Sequence, residues 1–81
     1  SILENIKTDI ILVEGFKKEN FPKIELYRKA IGKEILFYKD SNIVAIASDE
    51  NIKIENNIHK LDLNDPQQIV DYIINFLSLN K

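Results

Sequence analysis

Two β-branched apolar runs constrain this chain more than anything else in it. DIILV (residues 9–13) stops on Glu14 and Gly15, and NIVAIASD (residues 42–49) closes on Ser48 and Asp49. Short apolar runs bounded by polar residues are the pattern of strands covered on both faces, as in the parallel sheets of α/β proteins. In such sheets ligands bind outside the carboxyl ends of the strands. Glu14, Gly15, Ser48 and Asp49 are therefore expected to share one functional edge.

The segments around these runs fill in an α/β plan. KIELYR (residues 23–28) alternates Ile24 and Leu26 with Glu25 and Tyr27, which predicts a strand nearer an edge of the sheet. KEILFYK (residues 33–39) fits a short helix or a strand, and helix is favoured. Residues 50–60 are polar with scattered isoleucines, and KLDL (residues 60–63) suits a short edge strand. Asp65 is a good N-cap, Pro66 suits the first helical position, and Gln68 completes a capping-box spacing. A helix is predicted over residues 66–79, with Ile69, Val70, Ile73, Ile74, Phe76 and Leu77 on one apolar face. Residues 2–7 carry Ile2, Leu3 and Ile6 at helical spacing. One strong helix covers only one face of a sheet, so the second face calls for another copy of the chain or an N-terminal half.

Composition narrows the classes of function. At 81 residues the chain reads as a single small domain, near the size at which one core barely suffices. Its 44% hydrophobic and 30% charged content is globular. A net charge of -2 provides no basic field for nucleic acid. No apolar run reaches the roughly 20 residues of a membrane span. There is no cysteine, which excludes disulfides and thiolate metal sites, and the first residues lack the apolar core of a signal peptide. A cytoplasmic protein with no membrane or nucleic-acid partner is the expectation.

The chemistry-bearing residues each have a plain reading beside a functional one. Gly32-Lys33 invites comparison with a phosphate-cradling Walker A loop, but that loop needs a glycine five residues before Gly32 and Ser or Thr after Lys33. Tyr27 and Glu34 stand there. Glu14 is either a solvated strand end or an acid that orients magnesium or water beside a phosphate. Gly15 lets the backbone turn or approach a ligand. Lys17 and Lys18 either meet phosphate oxygens or are simply solvated. Ser48 and Asp49 either accept hydrogen bonds from a base edge or form a turn. His59 has no second His or Cys to complete a metal site or triad and reads as a surface residue.

DIILVEGFK (residues 9–17) followed by FPKIELYR (residues 21–28) resembles the C-terminal half of the MobB family of molybdopterin-guanine dinucleotide biosynthesis accessory proteins. The resemblance continues through NIVAIASD and LDLNDPQQIVDYIINFL (residues 61–77). It implies a mostly parallel P-loop NTPase-like sheet with flanking helices, GTP and magnesium as ligands, weak GTPase activity, dimerisation, and assistance to a MobA-like molybdopterin guanylyltransferase. On this resemblance Glu14 is the Walker B-like acid, reaching magnesium through water. Gly15 and Lys17 lie with it at the nucleotide, and Ser48 and Asp49 are base-side contacts. The family's N-terminal P-loop is not among these residues, so the chain alone is expected to bind GTP weakly or not at all. The alternative is a non-catalytic oligomerisation or interaction module that has lost nucleotide binding.

Overall fold

The computed structural model describes residues 10–15, 20–54 and 57–79. Residues 2–7, expected to be helical, and Lys17 and Lys18, expected near phosphate or solvent, lie outside the described residues. Strands β1 (Ile11–Val13), β2 (Lys23–Tyr27), β3 (Ile43–Ser48) and β4 (His59–Asp62) form one all-parallel sheet in the order β1-β2-β3-β4. Helix α1 (Pro66–Leu79) follows. The α/β class and parallel pairing agree with the sequence reading, as do the bounds of α1 and the short edge strand β4.

The strand order decides how the two faces are covered. When each parallel strand is added beside the last, right-handed crossovers all fall on one face. The other face is left to α1. On the α1 side, Ile24, Ala45, Ala47 and Leu61 pack with Ile69, the buried residue of the helix, flanked by Leu26, Tyr72 and Ile73. On the crossover side, Ile43, Ile46 and Ile54 pack under Ile35, Leu36, Phe37, Ile52 and Ile58. Ile24 and Ile46 are fully buried, and burying a side chain of that size contributes about 1.5–3 kcal/mol.

Four expectations need correction. KIELYR does not lie near an edge: β2 sits between β1 and β3, and Lys23, Ile24 and Glu25 are all buried. Its charged positions face the crossover, where they find partners, instead of solvent. Conversely, the DIILV strand is not covered on both faces among the described residues: β1 has three residues at an edge, and Leu12 is 47% exposed. KEILFYK makes only one 3-10 turn, Leu36–Lys39, preceded by extended backbone at Ile35. Finally, the sheet face opposite α1 is not open, because that turn and the isoleucines of the next crossover cover it.

The apolar stripe of α1 is also wider than its seat, with Val70 and Ile74 44% and 59% exposed. At the start of α1, Asp65 Oδ1 accepts the Gln68 N–H at 3.3 Å. The reciprocal half of the capping box does not form, since Gln68 Oε1 accepts the Asp62 N–H at 2.6 Å and so ties the helix to the end of β4. His59 is exposed as expected, with its ring 4.8 Å from that of Tyr72.

Candidate functional site at the carboxyl ends of the strands

Because every strand runs the same way, their exits line up along one edge. Glu14 and Gly15 leave β1, Arg28 and Lys29 leave β2, Asp49 and Glu50 leave β3, and Asn64 follows β4. Glu14 and Asp49 lie two strand spacings apart, on the order of 10 Å.

The exit of β2 ties its neighbours together. Arg28 Nε donates to Glu14 Oε1 at 3.0 Å, with the two side chains 52% and 55% exposed. Lys29 turns the other way: its backbone N–H donates to Asp49 Oδ1 at 3.2 Å, and its ammonium lies 3.3 Å from Glu50 Oε2. The Asp49 N–H in turn donates to the Tyr27 carbonyl at 3.4 Å. One dipeptide thus reaches both candidate acids, Arg28 through its side chain and Lys29 through its backbone N–H.

Two hollows open on this edge. The first, about 280 Å³, lies over the ends of β1 and β2 and is lined by Glu14, Gly15, Tyr27, Arg28, Ile31 and Lys33 among others. Gly15 borders open space: a Cβ built there would meet nothing within 4 Å. The second, about 390 Å³, lies over β3 and β4, with Asp49, Asn51, Asp62, Asn64 and Gln68 around Ile52 and Leu61. Ser48 borders it but is buried, and its Oγ accepts the Glu50 N–H at 3.1 Å in a local turn. The structure thus joins Glu14 to Gly15 at one hollow and Ser48 to Asp49 at the other.

Sequence reasoning missed Arg28 and Lys29. The available signal was their position: two cations directly after a strand parallel to the one that delivers Glu14.

The remaining charges of β2 serve the scaffold. Lys23 Nζ meets Asp40 Oδ2 at 2.6 Å. That hydrogen bond holds the Asp40 carboxyl below its usual range, and the Asn42 backbone adds to the effect. Glu25 accepts the N–H groups of Leu36 and Phe37 at 2.7 and 2.9 Å. Burial nevertheless pushes its carboxyl above the usual range, with Asp40 adding to the rise against those two bonds. Gly32, at φ 72°, closes the Lys29–Ile31 turn in the left-handed conformation that favours glycine.

Among the described residues no three acidic or histidine side chains gather to cage a metal. A single exposed carboxylate such as Glu14 does suit magnesium, which keeps most of its waters and is commonly held by one or two carboxylates plus substrate phosphates. No helix among the described residues is long and apolar enough to cross a membrane.

Comparison with known proteins adds a family. Residues 1–49 match the family model described as molybdopterin guanine dinucleotide synthesis protein B. The chain is 34% identical over 80 residues to the molybdopterin-guanine dinucleotide biosynthesis adapter protein of Escherichia coli, covering 95% of the chain and 43% of that protein. It is 40% identical over 70 residues to the adapter protein of the same description from Haemophilus influenzae, covering 86% of the chain and 38% of the relative. It therefore spans about two fifths of the length of these relatives. No solved structure matches it.

Proposed function

The chain belongs to the family of molybdopterin guanine dinucleotide synthesis protein B, and from that premise we propose that its strand-end edge is part of a guanine-nucleotide site used in making molybdopterin guanine dinucleotide. The observation that supports this most directly is the alignment of Glu14, Gly15, Arg28 and Asp49 along the carboxyl edge of an all-parallel sheet, the place where such sheets bind ligands.

In this reading the nucleotide lies along the edge. Its phosphates are at the Glu14–Arg28 hollow with Gly15 beside them, its base is at the Asp49 hollow, and Lys17 is a further phosphate contact by the family resemblance alone. Glu14 orients the waters of a phosphate-bound magnesium, which when bound would neutralise phosphate charge. The Asp49 carboxylate is an acceptor of the kind that the donors of a guanine edge require. Ser48 shapes the Asp49 turn. The sequence has no Gly-x-x-x-x-Gly-Lys loop, so the main cradle for the phosphates is supplied from outside these residues. The molybdopterin guanylyltransferase, and a second copy of the chain, are the proposed partners of a protein that works as an adapter.

The test is an amide NMR titration of the 81-residue chain with GTP and magnesium. Weak binding, with shifts confined to residues at the ends of β1, β2 and β3, supports the reading. Absence of any shift there at millimolar nucleotide favours an interaction module without a nucleotide site. A low-micromolar dissociation constant by calorimetry would instead show that no outside phosphate loop is needed.

A further inference from the structure

The Arg28–Glu14 pair has a property that the nucleotide reading alone does not use. It places a cation on the very carboxylate assigned to a metal. Arg28 spends one of five guanidinium N–H donors, that of Nε, on Glu14. Both side chains are about half exposed, and ion pairs in water-rich surroundings are weak and readily exchanged. The pair stands at the rim of the hollow that opens over Gly15, which Lys33 also lines.

Two ligands act on such a pair in opposite ways. A bare divalent cation must compete with Arg28 for Glu14, and it offers the guanidinium nothing in return. A metal-bound polyphosphate brings anionic oxygens that match the planar guanidinium fork. Arg28 can then turn to the phosphate and leave the carboxylate to the metal's waters. We propose that Arg28 is a specificity-determining residue that makes this site select a magnesium-bound polyphosphate over the free divalent ion. The proposal rests on the nucleotide reading above and adds to it a residue and a direction of selectivity.

The experiment compares the wild-type chain with Arg28→Ala and Arg28→Lys, using manganese alone and magnesium-GTP as separate probes, read by the amide resonances of Glu14 and Gly15. Arg28→Ala is expected to bind manganese several-fold more tightly, because Glu14 loses its competitor. The same variant is expected to bind magnesium-GTP about tenfold more weakly, the equivalent of one charge-assisted hydrogen bond. Arg28→Lys, which keeps the charge without the fork, falls between the two on both probes. In a Glu14→Gln background, removing Arg28 no longer strengthens manganese binding. A thermal melt by circular dichroism checks that each variant is folded, and a purely structural role for Arg28 would not move the two affinities in opposite directions.

If wild type binds magnesium-GTP at the strand ends but Arg28→Ala changes both affinities in the same direction, or neither, the inference is overturned while the nucleotide reading stands. If wild type shows no response to magnesium-GTP at these residues, the reading fails and takes the inference with it.

Discussion

Strand β2 carries two sets of charges that behave as different materials. At its start, Lys23 and Glu25 are 1% and 2% exposed, and each is matched by a specific partner in the crossover that follows. At its exit, Arg28 and Lys29 are exposed and engage the acids of neighbouring strand ends through bonds of 3.0–3.3 Å. Burial makes the first set obligatory, because a charge taken out of water must keep its partner. Exposure makes the second set exchangeable, because water can replace either partner at little cost. The difference gives the strand itself a scaffold role and leaves the residues at its exit available for the ligand contacts proposed above.

The harshest way to break that comparison is Asp40→Ala. It takes from the buried Lys23 ammonium the carboxylate it meets at 2.6 Å; removing one member of a fully buried pair costs about 3–5 kcal/mol, an upper bound for this part-buried one. Urea denaturation reads the loss directly. A change under about 1 kcal/mol, the range of exposed pairs, would erase the distinction between the two sets.

Glu25→Ala is comparable in size. It orphans the N–H groups of Leu36 and Phe37, at about 1–3 kcal/mol for each group that stays buried. Water reaching the vacated space would bring the loss to the lower end.

The carboxyls of Asp40 and Glu25 also predict opposite pH dependences. Asp40 titrates lower in the folded chain than in the unfolded one. Its contribution is present above the unfolded value of 3.8 and is lost as pH falls through the lower folded value. Glu25 titrates higher when folded. Between the unfolded value of 4.5 and the raised folded value the native state holds the extra proton, so its contribution is present at lower pH and lost as pH rises. Stability measured against pH in wild type and Glu25→Gln should therefore differ in slope just above pH 4.5, with the wild type declining more as pH increases. Parallel profiles there would mean that Glu25 titrates alike in both states.

These buried charges also mark the limit of what the sequence made legible. The α1 helix could be read because its signals are local: Asp65, Pro66 and apolar residues three and four apart. The strand-end acids could be read because an apolar run followed by Glu14, or by Ser48 and Asp49, already implies the carboxyl edge of a parallel sheet. The place of β2 could not, because Lys23 and Glu25 look solvent-facing until Asp40, seventeen residues away, and the Leu36 and Phe37 amides are brought to them. For the same reason Pro-Lys-Ile-Glu, half of the motif that marks the family resemblance, is accounted for here by scaffold contacts. Arg28 escaped notice because its partner lies across the sheet, in a pairing that no periodicity within one strand encodes.

The smallest expected effect on stability sharpens the comparison from the other side. Glu14→Gln keeps the shape of the side chain and removes its charge, at a position where both members of the ion pair are about half exposed. Exposed pairs contribute about 0–1 kcal/mol, so the denaturation midpoint should scarcely move, and the amide spectrum should keep the dispersion of the wild type. Ligand binding should respond quite differently. A glutamine presents one neutral acceptor where a carboxylate presents two charged ones, and it is a poor partner for the waters of magnesium. GTP-induced shifts in Glu14→Gln should then be the same with and without magnesium, whereas those of the wild type depend on the metal. A variant that folds like the wild type and loses only the metal dependence would set Glu14 apart from Glu25, eleven residues later, as a carboxylate kept for a ligand. A midpoint shifted as far as that of Glu25→Ala would place Glu14 with the scaffold and leave the edge without its proposed metal-side acid.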